Sequence, residues 1–213
     1  ALANLDLETA DAMVLDLGLS SDQLEDRERG FSFTQDGPLD LRFDPENGVP
    51  AHIWLQRHSE TEIADAIYQF GEERFSRRIA KQIVMLARQK TPVQTVGQLV
   101  EICRRCVPRS KNHDIHPATR TFQALRIAVN EELGILSRTL QSAPEWLRPG
   151  GRIAVISFHS LEDRIVKNAF REDERWKALT KKPLRPSEQE VQQNPRSRSA
   201  KLRVAERILA GDP

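Results

Sequence analysis

Two short apolar runs frame this chain, residues 12–18 (Ala-Met-Val-Leu-Asp-Leu-Gly) and residues 152–157 (Arg-Ile-Ala-Val-Ile-Ser). The first closes on a turn signal and the second follows one, as buried strands do. Almost everything between them carries helical periodicity. A helix over about 161–170 follows the second run, and residues 202–209 read as a final edge strand. Strand, helices, strand, helix, strand is the order of an α/β chain with a parallel sheet. Two or three strands fall short of the roughly five or more of a doubly wound sheet. The visible sheet therefore reads as the second half of a larger one.

The intervening segment divides further. Residues 19–50 hold Gly30, Gly37, Pro38, Gly48 and Pro50 among many acids and read as a long irregular connection. Ser59 with Glu62 and Thr95 with Gln98 form two capping boxes ahead of apolar faces. Ile63, Ile67 and Phe70 follow the first box; Leu99, Val100, Cys103 and Val107 follow the second. Between them Phe75, Ile79, Ile83 and Leu86 share one helical face, with Arg77, Arg78 and Lys81 mostly opposite. Residues 59–107 thus predict an all-helical subdomain. Pro117 suits the first turn of one long helix running through Phe122, Leu125, Val129, Leu133, Leu136 and Leu140. The expected division is 1–50, a helical insert 51–112, and 113–213.

Charge is uneven although the net is only +1. Residues 1–65 carry 4 Lys/Arg against 15 Asp/Glu, whereas residues 175–207 carry 10 against 3. A basic tail of this kind is a surface for phosphates or a solvated face. Charged residues at 30% and hydrophobic residues at 38% fit a globular chain and exclude collagen-like or wholly disordered classes. No apolar run approaches the roughly 18 residues of a membrane span, and no signal-peptide core opens the chain. Lacking an initiator Met, the chain reads as a trimmed product. Two cysteines make no disulfide framework, so a reducing, cytoplasmic setting is expected.

Three features carry candidate chemistry. Asp16 stands where a strand meets the Gly18 turn, followed by the hydroxyls of Ser20 and Ser21; ligands of open α/β sheets sit at such carboxyl ends. An acid there accepts hydrogen bonds from a cofactor or substrate amine, or merely caps the next turn. Ser157-Phe158-His159-Ser160 lies at the end of the second strand, where Phe158 is core or ligand-facing and His159 is a capping group or a functional one. Arg196-Ser-Arg198-Ser-Ala-Lys201 offers alternating cations and hydroxyls to successive phosphates. A fourth pattern, Cys103-x2-Cys106-x6-His113-x2-His116, has zinc-like order. Its cysteines lie on an apolar helix face, so no metal is expected. No glycine pair forms G-x-G, so these residues contain no glycine-rich nucleotide loop.

Several longer motifs carry a resemblance. They are residues 16–24 (Asp-Leu-Gly-Leu-Ser-Ser-Asp-Gln-Leu), 29–33 (Arg-Gly-Phe-Ser-Phe), 36–42 (Asp-Gly-Pro-Leu-Asp-Leu-Arg), and 116–130, from His-Pro-Ala-Thr-Arg-Thr-Phe to Val-Asn. Residues 150–164, around Ile-Ser-Phe-His-Ser-Leu-Glu-Asp-Arg, and residues 196–203 complete the set. The whole chain resembles the ribosomal RNA small-subunit methyltransferase H (MraW) family. The turn Leu147-Arg-Pro-Gly-Gly151 before a strand is similarly found late in α/β methyltransferases that use S-adenosyl-methionine.

The resemblance implies a Rossmann-like methyltransferase fold with a helical insert. It implies S-adenosyl-methionine as cofactor and the N4 amine of a 16S rRNA cytidine in the small ribosomal subunit as substrate. Asp16 and Gln23 match cofactor-contacting positions of the family. The family's glycine-rich loop has no counterpart here, so a chain shortened at its start, with weak cofactor affinity of its own, is expected. An open sheet edge would then favour a homodimer. Ser20 or Ser21 is expected to hold the amine, and Phe31, Phe33 or Phe158 to stack on the base, with His159 nearby. Arg77, Arg78, Lys81, Arg196, Arg198 and Lys201 are expected RNA contacts. Two other readings compete: a non-catalytic RNA-binding module, and a structural zinc subdomain.

Overall fold

The computed structural model describes residues 8–33, 35–108 and 116–209. In chain order the elements are β1 (Ala10–Asp16), α1 (Ser21–Glu25), α2 (Ala51–Arg57), α3 (Glu60–Gly71), α4 (Ser76–Arg88), α5 (Val96–Cys106), α6 (Thr119–Asn130) and α7 (Glu132–Trp146). Then come β2 (Leu147–Ser157), α8 (Ser160–Glu172), β3 (Trp176–Ala178), α9 (Glu188–Gln193) and β4 (Lys201–Arg207). They form two compact units. A sheet unit comprises Ala1–Gly18 with Leu133–Pro213, and a helical unit comprises Leu19–Glu132.

In the sheet unit the strand order is β1-β2-β4-β3. β1 and β2 are parallel, with Met13 beside Ile153 and Asp16 beside Ile156. β2–β4 and β4–β3 are antiparallel, so the sheet is mixed rather than parallel. β4, expected at an edge, lies inside because β3 covers it; three residues are too few to leave a periodic signal in the sequence. Leu147, Ile153 and Val155 of β2 point into a core with Leu136 and Leu140 of α7, Val166 and Phe170 of α8, Trp176 and Ala205. Phe170 and Trp176 meet edge to face at 5.7 Å. The Pro-Gly-Gly turn is part of β2, where the pairing with β1 shifts register. A Cβ on Gly151 would lie 2.8 Å from the Arg148 carbonyl oxygen and 3.1 Å from that of Asp11, so only glycine lets the strands approach there.

In the helical unit both expected capping boxes form, Ser59 with Glu62 and Thr95 with Gln98. Their helices bury Ile63, Ile67, Leu99 and Cys103 in one core with Ile79 and Ile83 of α4 and Phe122 and Leu125 of α6. The long helix expected from Pro117 onward is instead two. Glu131 takes a left-handed conformation (φ 50°) and ends α6. No glycine or proline marks that break in the sequence.

Residues 19–50 are not a free connection. Phe31, Leu39 and Leu41 are buried in the helical core. Asp36 Oδ1 accepts from Gly97 N at 2.8 Å, which ties the loop to the start of α5. Leu39 N donates to Gln94 O at 2.9 Å. The compact units divide after Gly18 and after Glu132.

Asn130 holds the loop from the other side. Its Oδ1 accepts from Phe43 N at 2.7 Å, and its Nδ2 donates to Leu41 O at 2.7 Å and Arg126 O at 2.9 Å. Leu41 between these bonds is left-handed (φ 64°), a conformation that costs a non-glycine residue roughly 1–2 kcal/mol. Asn130→Ala removes the clamp and leaves two backbone groups unpaired. It is expected to lower stability by about 2–3 kcal/mol, read as a lower urea midpoint. An unchanged midpoint would show that the loop holds itself.

Candidate functional site

The carboxyl ends of β1 and β2 form a rim in the sheet unit. Leu17 N donates to Ile156 O at 2.9 Å, which carries the ladder one residue past Asp16. The Asp16 side chain is exposed and makes no hydrogen bond to the protein among the described residues. Gly18 follows with φ 155°, and a Cβ there would lie 3.3 Å from the Phe158 ring. The ring thus packs over bare backbone, and any side chain at Gly18 would crowd it.

Phe158 and His159 are held by a residue that sequence reasoning left without a role. Buried Glu162 accepts at Oε2 from Phe158 N at 2.8 Å and His159 N at 3.3 Å. His159 Nδ1 accepts in return from Glu162 N at 3.4 Å, a reciprocal cap on α8. His159 is therefore the capping group that one of the two sequence readings allowed. Its Nε2 lies 3.1 Å from Glu162 Oε1, off the line of a hydrogen bond. The legible signal was the three-residue spacing from His159 to Glu162, the spacing of a capping box.

Asp163, one residue on, takes the buried Arg203 at 2.7 Å and Lys201 at 3.8 Å. Burial pushes the Asp163 carboxyl up, but the Arg203 hydrogen bond and the nearby cations outweigh it and hold it below the usual carboxylate range. Lys201, expected on RNA, thus faces Asp163 and is largely buried. Arg196 and Arg198 are exposed on a 3-10 turn, Pro195–Ser199. A separate open hollow of about 430 Å³ lies along α7 and α8, lined by Ser137, Gln141, Asn168 and Glu172, and shares no residue with the rim.

The other expected residues belong to the helical unit. Ser20 caps α1: its Oγ accepts from Gln23 N at 3.2 Å, and Gln23 Oε1 accepts from Ser20 N at 3.0 Å. Gln23, expected on the cofactor, therefore spends its carbonyl on the cap and keeps only its amide N–H groups for a ligand. Ser20 keeps its hydroxyl proton for one, and Ser21 is exposed at the helix start. Phe31, expected to stack on a base, is only 6% exposed. It packs on Phe43 at 5.8 Å with the Arg29 guanidinium over its ring, so it is core. Phe33 stacks on His116 at 4.6 Å and meets Phe122 edge-on at 5.8 Å. Burial, then Arg104, holds His116 below the usual imidazole range.

Arg77, Arg78 and Lys81 are exposed along α4. Cys103 and Cys106 are buried in the helical core; burial pushes the Cys103 thiol up to about 12, which disfavours the thiolate that zinc needs. His113 of the zinc pattern lies outside the described residues. No helix among the described residues is long and apolar enough to cross a membrane.

Residues 1–208 match the MraW methylase family. The chain belongs to that family. Among curated relatives it is 80% identical over 209 residues to the ribosomal RNA small subunit methyltransferase H of Rhodopirellula baltica, covering 98% of this chain and 64% of the relative. It is 57% identical over 198 residues to the protein of that name from Synechococcus elongatus, covering 92% and 66%. Against that of Acaryochloris marina it is 52% identical over 204 residues, covering 95% and 67%. The chain thus spans about two thirds of these MraW relatives' length.

The rim tests the fit of a methyl donor with an amino-acid portion. Asp16, exposed and without a hydrogen-bond partner among the described residues, suits an ammonium or hydroxyl donor and so fits such a group.

Proposed function

We propose that this chain acts in S-adenosyl-methionine-dependent methylation of the N4 amine of a cytidine in 16S rRNA of the small ribosomal subunit, in the cytoplasm. The observation that carries the reading is Asp16, exposed and without a partner among the described residues, at the carboxyl rim of a parallel strand pair in a chain of the MraW family. The relatives' names, ribosomal RNA small subunit methyltransferase H, supply the substrate class. A Rossmann-like sheet with a helical insert is the corresponding reading of the fold.

The cofactor, when bound, supplies an electrophilic methyl group on a sulfonium. Asp16 would hold its ammonium; Gln23, matched to a cofactor position by the resemblance, would offer its amide N–H groups. The cytosine amine is a poor nucleophile because its lone pair is delocalised into the ring, so the chain's part is orientation and electrostatics. The hydroxyl of Ser20 or Ser21 orients the amine. Phe158 belongs to the rim itself, and we assign it the base. Arg77, Arg78, Lys81, Arg196 and Arg198 contact RNA phosphates.

Ser20→Ala tests the assignment. It is expected to reduce turnover at least tenfold while cofactor affinity changes less than about twofold, with Ser20→Thr, which keeps both hydroxyl and cap, restoring much of the rate. An unchanged rate in Ser20→Ala removes Ser20 from the chemistry. RNA binding without any methyl transfer by the wild type would favour the non-catalytic module.

A further inference from the structure

The basic tail holds more cations than the sheet unit neutralises, and the structure separates the two kinds. Arg203 and Lys201 face Asp163, Arg175 is paired with Asp173 at 2.7 Å, and Arg207 donates to the Leu147 carbonyl. Lys177 stands across from Glu206, which already binds Arg152 at 3.1 Å. Lys181, Lys182 and Arg185 are different. All three are exposed, none has an ion-pair partner among the described residues, and no acid lies between Leu179 and Ser187.

The backbone on either side of Lys181 and Lys182 is tied to β4. Leu179 N donates to Val204 O at 2.9 Å, Val204 N donates to Thr180 Oγ1 at 3.0 Å, and Leu184 and Leu202 exchange two bonds of 2.9 Å. Leu179, Thr180 and Leu184 thus run along the outer side of β4 with Lys181 and Lys182 in a bend between them, and the Leu184–Leu202 bridge brings Arg185 level with Lys201. Leu179 and Leu184 flank the cations and are 43% and 57% exposed.

We infer that this segment, residues 179–185, is a further RNA-contacting surface, in which Lys181, Lys182 and Arg185 bind backbone phosphates and Leu184 lies against a sugar or base. Charge complementarity carries this inference: three exposed cations without an ion-pair partner among the described residues, on a segment anchored to β4 at both ends and flanked by exposed leucines, suit a polyanion that also offers apolar sugar and base faces. The inference rests on the rRNA reading above and adds a surface to it.

The test is fluorescence anisotropy with a labelled fragment of small-subunit rRNA, titrated at several salt concentrations. The protein is the wild type, the triple variant Lys181→Gln, Lys182→Gln, Arg185→Gln, and the α4 variant Arg77→Gln, Arg78→Gln, Lys81→Gln. All six side chains are exposed, so circular dichroism melts should coincide. Loss of three phosphate contacts should lower the slope of log affinity against log salt by about 2 and affinity by roughly 100-fold at about 0.1 M salt. Wild-type slope and affinity in the edge variant, with a loss confined to the α4 variant, would overturn the inference and leave the rRNA reading standing. Absence of salt-dependent RNA binding by the wild type would overturn both. Tighter binding to phosphatidylglycerol vesicles than to RNA, lost in the edge variant, would assign the edge to lipid and likewise overturn it.

Discussion

Asp16→Ala is expected to weaken S-adenosyl-methionine binding roughly 10- to 100-fold, the loss of one charge-assisted hydrogen bond. Stability should hardly change, because the carboxylate is exposed and bonds to nothing else among the described residues. Asp16→Asn keeps an acceptor but loses the charge, and should fall between. Equilibrium dialysis with labelled cofactor at high protein concentration measures all three proteins. Equal affinities with matched melting curves would mean that the acid only terminates β1.

The largest structural effect is expected at Gly71. α3 ends there, against α6. A Cβ would lie 2.4 Å from the Arg120 carbonyl oxygen and 3.2 Å from the Ala124 Cβ. Backbone cannot move aside as a flexible side chain can, so α3 and α6 must separate and loosen the contact of Ile63 and Ile67 with Leu125. Gly71→Ala is expected to cost about 3 kcal/mol or more, despite alanine's better helix propensity. Gly134→Ala is the control. Its new methyl meets only the end of the Arg138 side chain at 3.3 Å, and it should be neutral or stabilising by up to about 1 kcal/mol. Urea unfolding followed by circular dichroism decides the matter: equal midpoints for the two variants would refute the clash.

Local chemistry was legible in the sequence. The Ser59 and Thr95 caps and the acid at the end of the first strand follow from spacings of a few residues, and the parallel sense of β1 and β2 from the strand-helix-strand order. Long-range bonds were not. Nothing near Asp36 announces Gly97 as its partner, and nothing near Leu41 announces Asn130, so residues 19–50 read as a loop although they complete the helical core. The same limit applies to Phe31, one of three aromatics expected on the base, whose burial against Phe43 joins residues that nothing in the local sequence links. At the rim, Glu162 was visible only as part of a motif. Its burial, and its hold on the Phe158 turn, come from the way α8 leaves the sheet.

The central claim is that the carboxyl rim of β1 and β2 receives the methyl donor. Backbone amide NMR during titration with S-adenosyl-methionine to millimolar concentration tests it most directly, and tolerates weak binding. The account predicts saturable shifts concentrated at Asp16, Leu17, Gly18, Phe158 and His159, abolished by Asp16→Ala. Saturable shifts elsewhere with these five amides unmoved, or shifts that persist unchanged in Asp16→Ala, would contradict it.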